Sequence, residues 1–265
     1  MSFLEPKVNS ESPTFWDHLD ALRWAIFRIL GVTVSLLVIL FGFKDFLFDQ
    51  ILLPPLSPDF VFYRFLCQLA NWLHAPDFCP GDFHIQLINI DIAGQFMAHL
   101  SATFSMAFVL AVPYMLYELW RFVSPALYAT ERRQVGLIFF SSSFLFYLGS
   151  TISYLLVFPL TIRFLGTYEV SKLVPNQISL QSYLGTLYVL VFAMGLMFEM
   201  PVLAYFLSKL GLINRKMLAR IRRYALVVIL VLAAVVTPTT DPFTMLVVAL
   251  PLYLLYEVSI LVAKK

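Results

Sequence analysis

One carboxylate, Glu199, stands in the middle of GLMFEMPVLAYF, a segment with no other charge. A charged side chain at membrane depth costs about 3 kcal/mol or more unless it is paired or protonated. Such a group is a functional candidate by default; the plain alternative is a neutral acid that hydrogen-bonds a neighbouring helix for packing. Pro201, two residues on, lacks an N–H, frees a backbone carbonyl and predicts a kink beside the carboxyl group. A second group is Glu131, Arg132 and Arg133, three consecutive charges followed by 29 uncharged residues, 134–162. There Thr130 can cap a helix whose first turn holds Glu131, and the two arginines can meet anionic headgroups. Glu118 and Glu257 stand near the ends of other apolar runs, where snorkelling or pairing with nearby arginines accounts for them. His99 reads as a satisfied core histidine, and Asp241, before Pro242, as a turn former that caps its own backbone.

Enzyme motifs are missing. None of the ten glycines begins a Gly-x-Ser, so there is no nucleophile elbow. There is no phosphate-binding glycine loop and no HExxH, and the four histidines are too scattered to suggest a metal site. No enzyme activity, cofactor or nucleic-acid partner is expected.

The elements that carry these residues follow from composition. With 60% hydrophobic and 13% charged residues and a mean hydropathy of +0.84, the chain belongs in a membrane. The expected fold is all-α, a single six-helix membrane bundle with spans near 22–43, 93–120, 133–159, 182–208, 223–237 and 243–262. A helix needs roughly 20 residues to cross a hydrocarbon core of about 30 Å, so the last two spans are expected to be short. Residues 1–17 are largely polar, and no cleavable signal peptide is expected. Six spans place 14 of the 18 lysines and arginines on the side of both termini, which the positive-inside rule makes cytoplasmic.

The amino-terminal stretch FWDHLDALRWAIFRIL repeats apolar residues at helical spacing and predicts an amphipathic lead-in running into the first span. The long external loop, 44–92, has a helical repeat over Phe62, Phe65, Leu66, Leu69 and Leu73, read as a short helix lying on the membrane or capping the bundle. Cys67 and Cys79 both fall in this loop: an oxidising compartment would bridge them, and otherwise they are two free buried thiols. The other external segments are 160–181 and the turn at 238–242.

Several of these pieces together resemble the TatC family, the multispanning core of the twin-arginine protein translocase. They are HLDALR (18–23), FVSPALYATERR (122–133), SSSFLFYLGSTISYLLVFPL (141–160), FEMPV (198–202), and TPTTDPFT with ALPLYLLYE (237–257). The resemblance implies a receptor in the bacterial cytoplasmic membrane that binds Arg-Arg signal peptides of folded cargo. It further implies assembly with its own copies and with TatA- and TatB-type single-span partners, and export driven by the proton-motive force. By the same resemblance Glu131 pairs with the signal arginines, and Phe122, Pro125, Leu127, Tyr128, Arg132 and Arg133 shape the rest of the loop. Leu22 and Arg23 match the amino-terminal motif, whose usual glutamate is here Ala21. Asp20 is one residue away but about 100° around the helix. Glu199, with Pro201, matches the intramembrane position where partner helices dock, and Asp241, Pro238 and Pro55 match structural turn positions. The alternative from another class is a proton-coupled secondary transporter or channel working through Glu199.

Overall fold

The computed structural model describes residues 15–72, 85–123, 135–168, 171, 176–237 and 241–263. Helix α1 (Phe15–Phe41) is continuous, so the lead-in and the first apolar span form one rod. A wide π-turn (Phe46–Leu52) and a 3₁₀ turn (Pro54–Leu56) follow, with Pro55 buried. Helix α2 (Val61–Trp72) lies in the long first loop. Helix α3 (Gly94–Val123) keeps Pro113 inside it. Helix α4 (Val135–Ile152) runs through a π-turn (Ser153–Val157) into α5 (Phe158–Thr167). Helices α6 (Leu180–Met197) and α7 (Met200–Lys209) share one long segment broken at Glu199. Short α8 (Arg215–Arg220) leads to α9 (Arg222–Val236) and α10 (Pro242–Val262).

Five of these segments are long and apolar enough to cross a membrane: Leu19–Phe41, Gly94–Phe122, Ile138–Thr167, Leu180–Lys209 and Pro242–Val262. Helix α9 has 15 residues, about 22 Å of rise, and stays short of that length. The expectation of two short final helices is corrected for the second. Helix α10 has 21 residues, close to the expected bounds 243–262, which is about 31 Å of rise and long enough to cross; Glu257 lies within it and accepts a 2.7 Å bond from Arg222. A two-residue parallel strand pair, β1 (Leu87–Ile88) with β2 (Ile178–Ser179), ties the first and second long loops and is the one addition to the all-α expectation among the described residues.

The buried core runs through the middle of the bundle: Val157 just before α5 and Phe158 at its start, Leu187, Leu190 and Met194 on α6, Ala233 on α9, and Val248 and Leu252 on α10. Tyrosine hydroxyls fasten the loops to this core. Tyr183 donates to the carbonyl of Leu52 at 2.7 Å, Tyr154 to that of Ile51 at 2.6 Å and Tyr63 to that of Pro159 at 2.9 Å. Helix α2 therefore caps the bundle, and its inner face is Tyr63 and Ala70 with Leu66 and Cys67 half-buried. Of the expected face, Phe62 and Leu66 are half-buried and Phe62 packs against Phe60 and Tyr63, whereas the reading of Phe65 is corrected. Phe65 is exposed because the helix turns Tyr63 inward, where its hydroxyl reaches the carbonyl of Pro159; Leu73 lies outside the described residues. Burial holds the Tyr63 phenol well above its ordinary range, at about 12.

Helices α4 and α6 approach closely at glycines. A Cβ on Gly149 would lie 2.6 Å from Cγ of Phe198 and 2.8 Å from the backbone oxygen of Met194. Gly149→Ala is expected to destabilise the detergent-purified protein by about 1–3 kcal/mol through overpacking. Gly185→Ala, whose Cβ meets nothing within 4 Å, leaves it unchanged. Thermal unfolding of the two variants side by side checks this.

Candidate functional site

Two polar places interrupt the apolar bundle. The first is a cleft between α1 and α3 of about 330 Å³, lined by Ala21, Trp24, Ala25, Arg28, Glu118, Arg121 and Phe122. Position 118 falls on the face of α3 that packs against α1, so the carboxylate is only 2% exposed and must be satisfied within the protein. Arg28 does this in fork geometry. Its Nε donates to Oε1 at 2.8 Å and its Nη2 to Oε2 at 2.7 Å. Tyr114, one turn back on α3, donates its hydroxyl to Oε1 at 3.0 Å, and Arg121 stands 3.9 Å away. The pairing of Glu118 with an arginine was legible, but not which one: Arg28 is 90 residues away in sequence.

The structure places the amino-terminal motif residues unequally. Ala21 opens onto the cleft. Asp20 is exposed, lies 4.0 Å from Arg23 as an i,i+3 pair, and is not among the cleft-lining residues, in keeping with the helical rotation. Leu22 is 40% exposed. Phe122, the first residue of the loop motif, lines the cleft at the end of α3. Pro125, Leu127, Tyr128, Glu131, Arg132 and Arg133 lie outside the described residues, as does the expected Thr130 cap.

The second place is the break between α6 and α7. Phe198 and Glu199 stand between the two helices, and Pro201 takes an opening position of α7, where its missing N–H is no loss. Glu199 is 6% exposed. Its Oε2 accepts a 2.6 Å hydrogen bond from Ser142 of α4, and its Oε1 is buried without a hydrogen-bond partner among the described residues. The partner serine was missed; it belongs to the run Ser141, Ser142, Ser143, one face of which had to meet a neighbouring helix. The predicted kink is this break.

The remaining site residues are structural. Asp241 caps α10, its Oδ1 accepting from the backbone N of Thr244 at 2.7 Å; Pro238 lies outside the described residues. Cys67 is disulfide-bonded, and Cys79 lies outside the described residues. His99 stacks on Phe41 with ring centroids 4.2 Å apart, but its buried Nε2 has no hydrogen-bond partner among the described residues, so the satisfied histidine of the sequence reading is only half right. A larger, almost wholly apolar groove of about 670 Å³ runs between α3, α4 and α6, lined among others by Ala102, Val109, Thr151, Leu187, Tyr188 and Val191. Glu199 is not part of it. Among the described residues no cluster of histidine, cysteine and carboxylate could hold a metal ion.

Long apolar helices, a buried glutamate held by a half-exposed arginine near the end of one of them and an acid inside the bundle define a multi-pass helical membrane protein. A family model described as Sec-independent protein translocase protein (TatC) matches residues 17–251. The chain is 33% identical over 251 residues to the TatC protein of Blattabacterium sp. subsp. Periplaneta americana, covering 94% of each. It is 31% identical to that of Deinococcus radiodurans over 98% of this chain and 88% of the relative. A crystal structure of the twin arginine translocase receptor TatC in DDM superposes with a TM-score of 0.74 at 30% identity, over 94% of this chain and all of that one. The chain belongs to the TatC family and is a component of the Sec-independent protein translocase, a multi-pass protein of the bacterial cytoplasmic membrane.

Proposed function

We propose that this chain is the non-enzymatic receptor and scaffold of the translocase. It binds Arg-Arg signal peptides of folded cargo at the cytoplasmic face and seats TatA- and TatB-type single-span partners for export driven by the proton-motive force. The observation that carries the reading is the cleft at the end of α3. It holds a guanidinium on a buried carboxylate and is lined by Phe122, where the loop bearing Glu131 departs. Recognising paired arginines needs carboxylates that accept fork-shaped donors, together with aromatic faces to stack on; Trp24 and Phe122 supply the faces. The related crystal structure is that of a twin arginine translocase receptor, which supports the same role here. The family assignment displaces the transporter alternative.

In this reading the chain crosses the membrane six times with both termini cytoplasmic. The lysine and arginine distribution supports that orientation, and the short α9 counts as the fifth crossing by thinning the bilayer or sheltering among its neighbours. Glu131, with Pro125, Leu127, Tyr128, Arg132 and Arg133, completes the signal site with Leu22, Arg23 and Asp20 at its rim. Glu199 and Pro201 form the partner-docking position. Copies of the chain assemble with the partners into the working complex. The Cys67–Cys79 bridge closes the loop that α2 anchors, and treatment with reductant is expected to retard the protein on electrophoresis; identical mobility with and without reductant would exclude the bridge.

A photo-crosslinker at position 21 tests the site. It is expected to capture an Arg-Arg signal peptide in membranes and to lose it when the peptide carries Lys-Lys. Equal capture of both peptides contradicts the assignment.

A further inference from the structure

We propose that Glu118 is a receptor carboxylate for one of the two signal arginines, reached by exchange, with Arg28 holding the place of the incoming guanidinium until the signal arrives. The proposal rests on the signal-receptor reading above and names a residue within that site.

The cleft has the chemistry of a guanidinium site because a guanidinium already occupies it. Both oxygens of Glu118 take one bond each from the Arg28 fork, at 2.8 and 2.7 Å, the planar bidentate match that a lysine cannot reproduce. The carboxylate is fixed from behind by the Tyr114 hydroxyl at 3.0 Å and is 2% exposed, so it keeps one orientation. Ala21 stands on the wall of the same cleft. Its methyl group supplies no carboxylate at that position, so Glu118 is the acid that lines the cleft among the described residues.

Charge decides between addition and exchange. Arg28 and Arg121 already face the single carboxylate of Glu118 in this cleft, a local sum of +1. A third guanidinium added to that set meets net repulsion, whereas one that replaces Arg28 restores the same two bonds and leaves the local sum unchanged. The two partners differ in their freedom to move. The Arg28 side chain is 40% exposed, against 2% for Glu118, and lies midway along α1, inside the apolar span that begins at Leu19, so a released guanidinium reaches the lipid phosphates by snorkelling along the helix toward its polar lead-in. The internal pair lowers apparent affinity by the fraction of molecules in which the acid is open; it also rejects ligands that cannot match the fork.

The test is the affinity of a fluorescent Arg-Arg signal peptide for the detergent-purified full-length protein, measured for Arg28→Gln, Glu118→Gln, the double variant and Glu131→Gln. Removing the internal competitor is expected to tighten binding about tenfold in Arg28→Gln, as for an acid open in about one molecule in ten. Glu118→Gln weakens it about tenfold or more, and the double variant behaves as Glu118→Gln. Arg28→Lys, which keeps the charge without the fork, lies between parent and Arg28→Gln and decides the matter should Arg28→Gln not fold. Unchanged or weaker binding in both Arg28 variants, or unchanged binding in Glu118→Gln, overturns the exchange. If Glu131→Gln loses the peptide in that case, the receptor reading stands without it; if Glu131→Gln also binds normally, the receptor reading fails as well.

Discussion

Export of a cargo with an Arg-Arg signal falls to background in a Glu131→Ala strain, while the protein is inserted and accumulates at the parental level. The effect is large because a guanidinium bound to a carboxylate is held by charge-assisted hydrogen bonds worth about 1.5–3 kcal/mol each, and a fork makes two of them. Losing about 3 kcal/mol weakens peptide binding roughly a hundredfold. The cleft's own carboxylate, Glu118, is already held by Arg28 and can serve one arginine of the two. Asp20 is exposed, paired with Arg23 and not among the cleft-lining residues, and position 21 is an alanine. Insertion is spared because the structural service expected of Glu131 from the sequence, an interaction with the dipole of the helix it would open, is worth about 0.3–1 kcal/mol. The measurement is fractionation of exported and retained cargo; normal export in this strain contradicts the receptor assignment.

Glu199→Leu is expected to leave folding intact and to cut partner binding. The acid is buried with one oxygen bonded to Ser142 and, among the described residues, the other without a partner; an apolar side chain of similar size strands only the Ser142 hydroxyl, a cost to the isolated protein of about 1–3 kcal/mol that a bond from the serine to a carbonyl of its own helix reduces. A partner helix that bonds the open oxygen loses that bond, and hydrogen bonds between membrane helices are worth about 0.6–2 kcal/mol, a factor of roughly 3 to 30 in occupancy. A cysteine at Met197 or Pro201 reads this directly. Crosslinking captures the single span of a partner in the parent, much less of it in Glu199→Leu, and an intermediate amount in Glu199→Gln. Capture of lipid alone in membranes that contain the partner counts against docking here.

The long helices were legible because uncharged runs of about 20 residues have few other fates, and the kink at Glu199 because Pro201 follows it by two. Three things were hidden. The π-turns at Phe46–Leu52 and Ser153–Val157 have no proline or glycine inside them, and their register is set by tyrosine hydroxyls reaching across the fold to the loop that ends in Leu52. The face of α2 depended on the carbonyl of Pro159, 96 residues away from Tyr63. The cleft depended on packing α1 against α3, which no local pattern announces; the available hint was Arg28 itself, a lone charge at the head of the uncharged run 29–43. The signal loop was the opposite case. Its motif FVSPALYATERR is among the most informative stretches of the chain, and of it the described structure holds only Phe122 and Val123.

The central claim is that this protein reads two arginines. Equilibrium binding of a signal peptide to the detergent-purified protein tests it most directly. The account predicts saturable binding of the Arg-Arg peptide and its loss when both arginines are changed to lysine, since a point charge cannot bond a carboxylate in fork geometry. Equal affinity for the Lys-Lys peptide, or no binding of either, would contradict it.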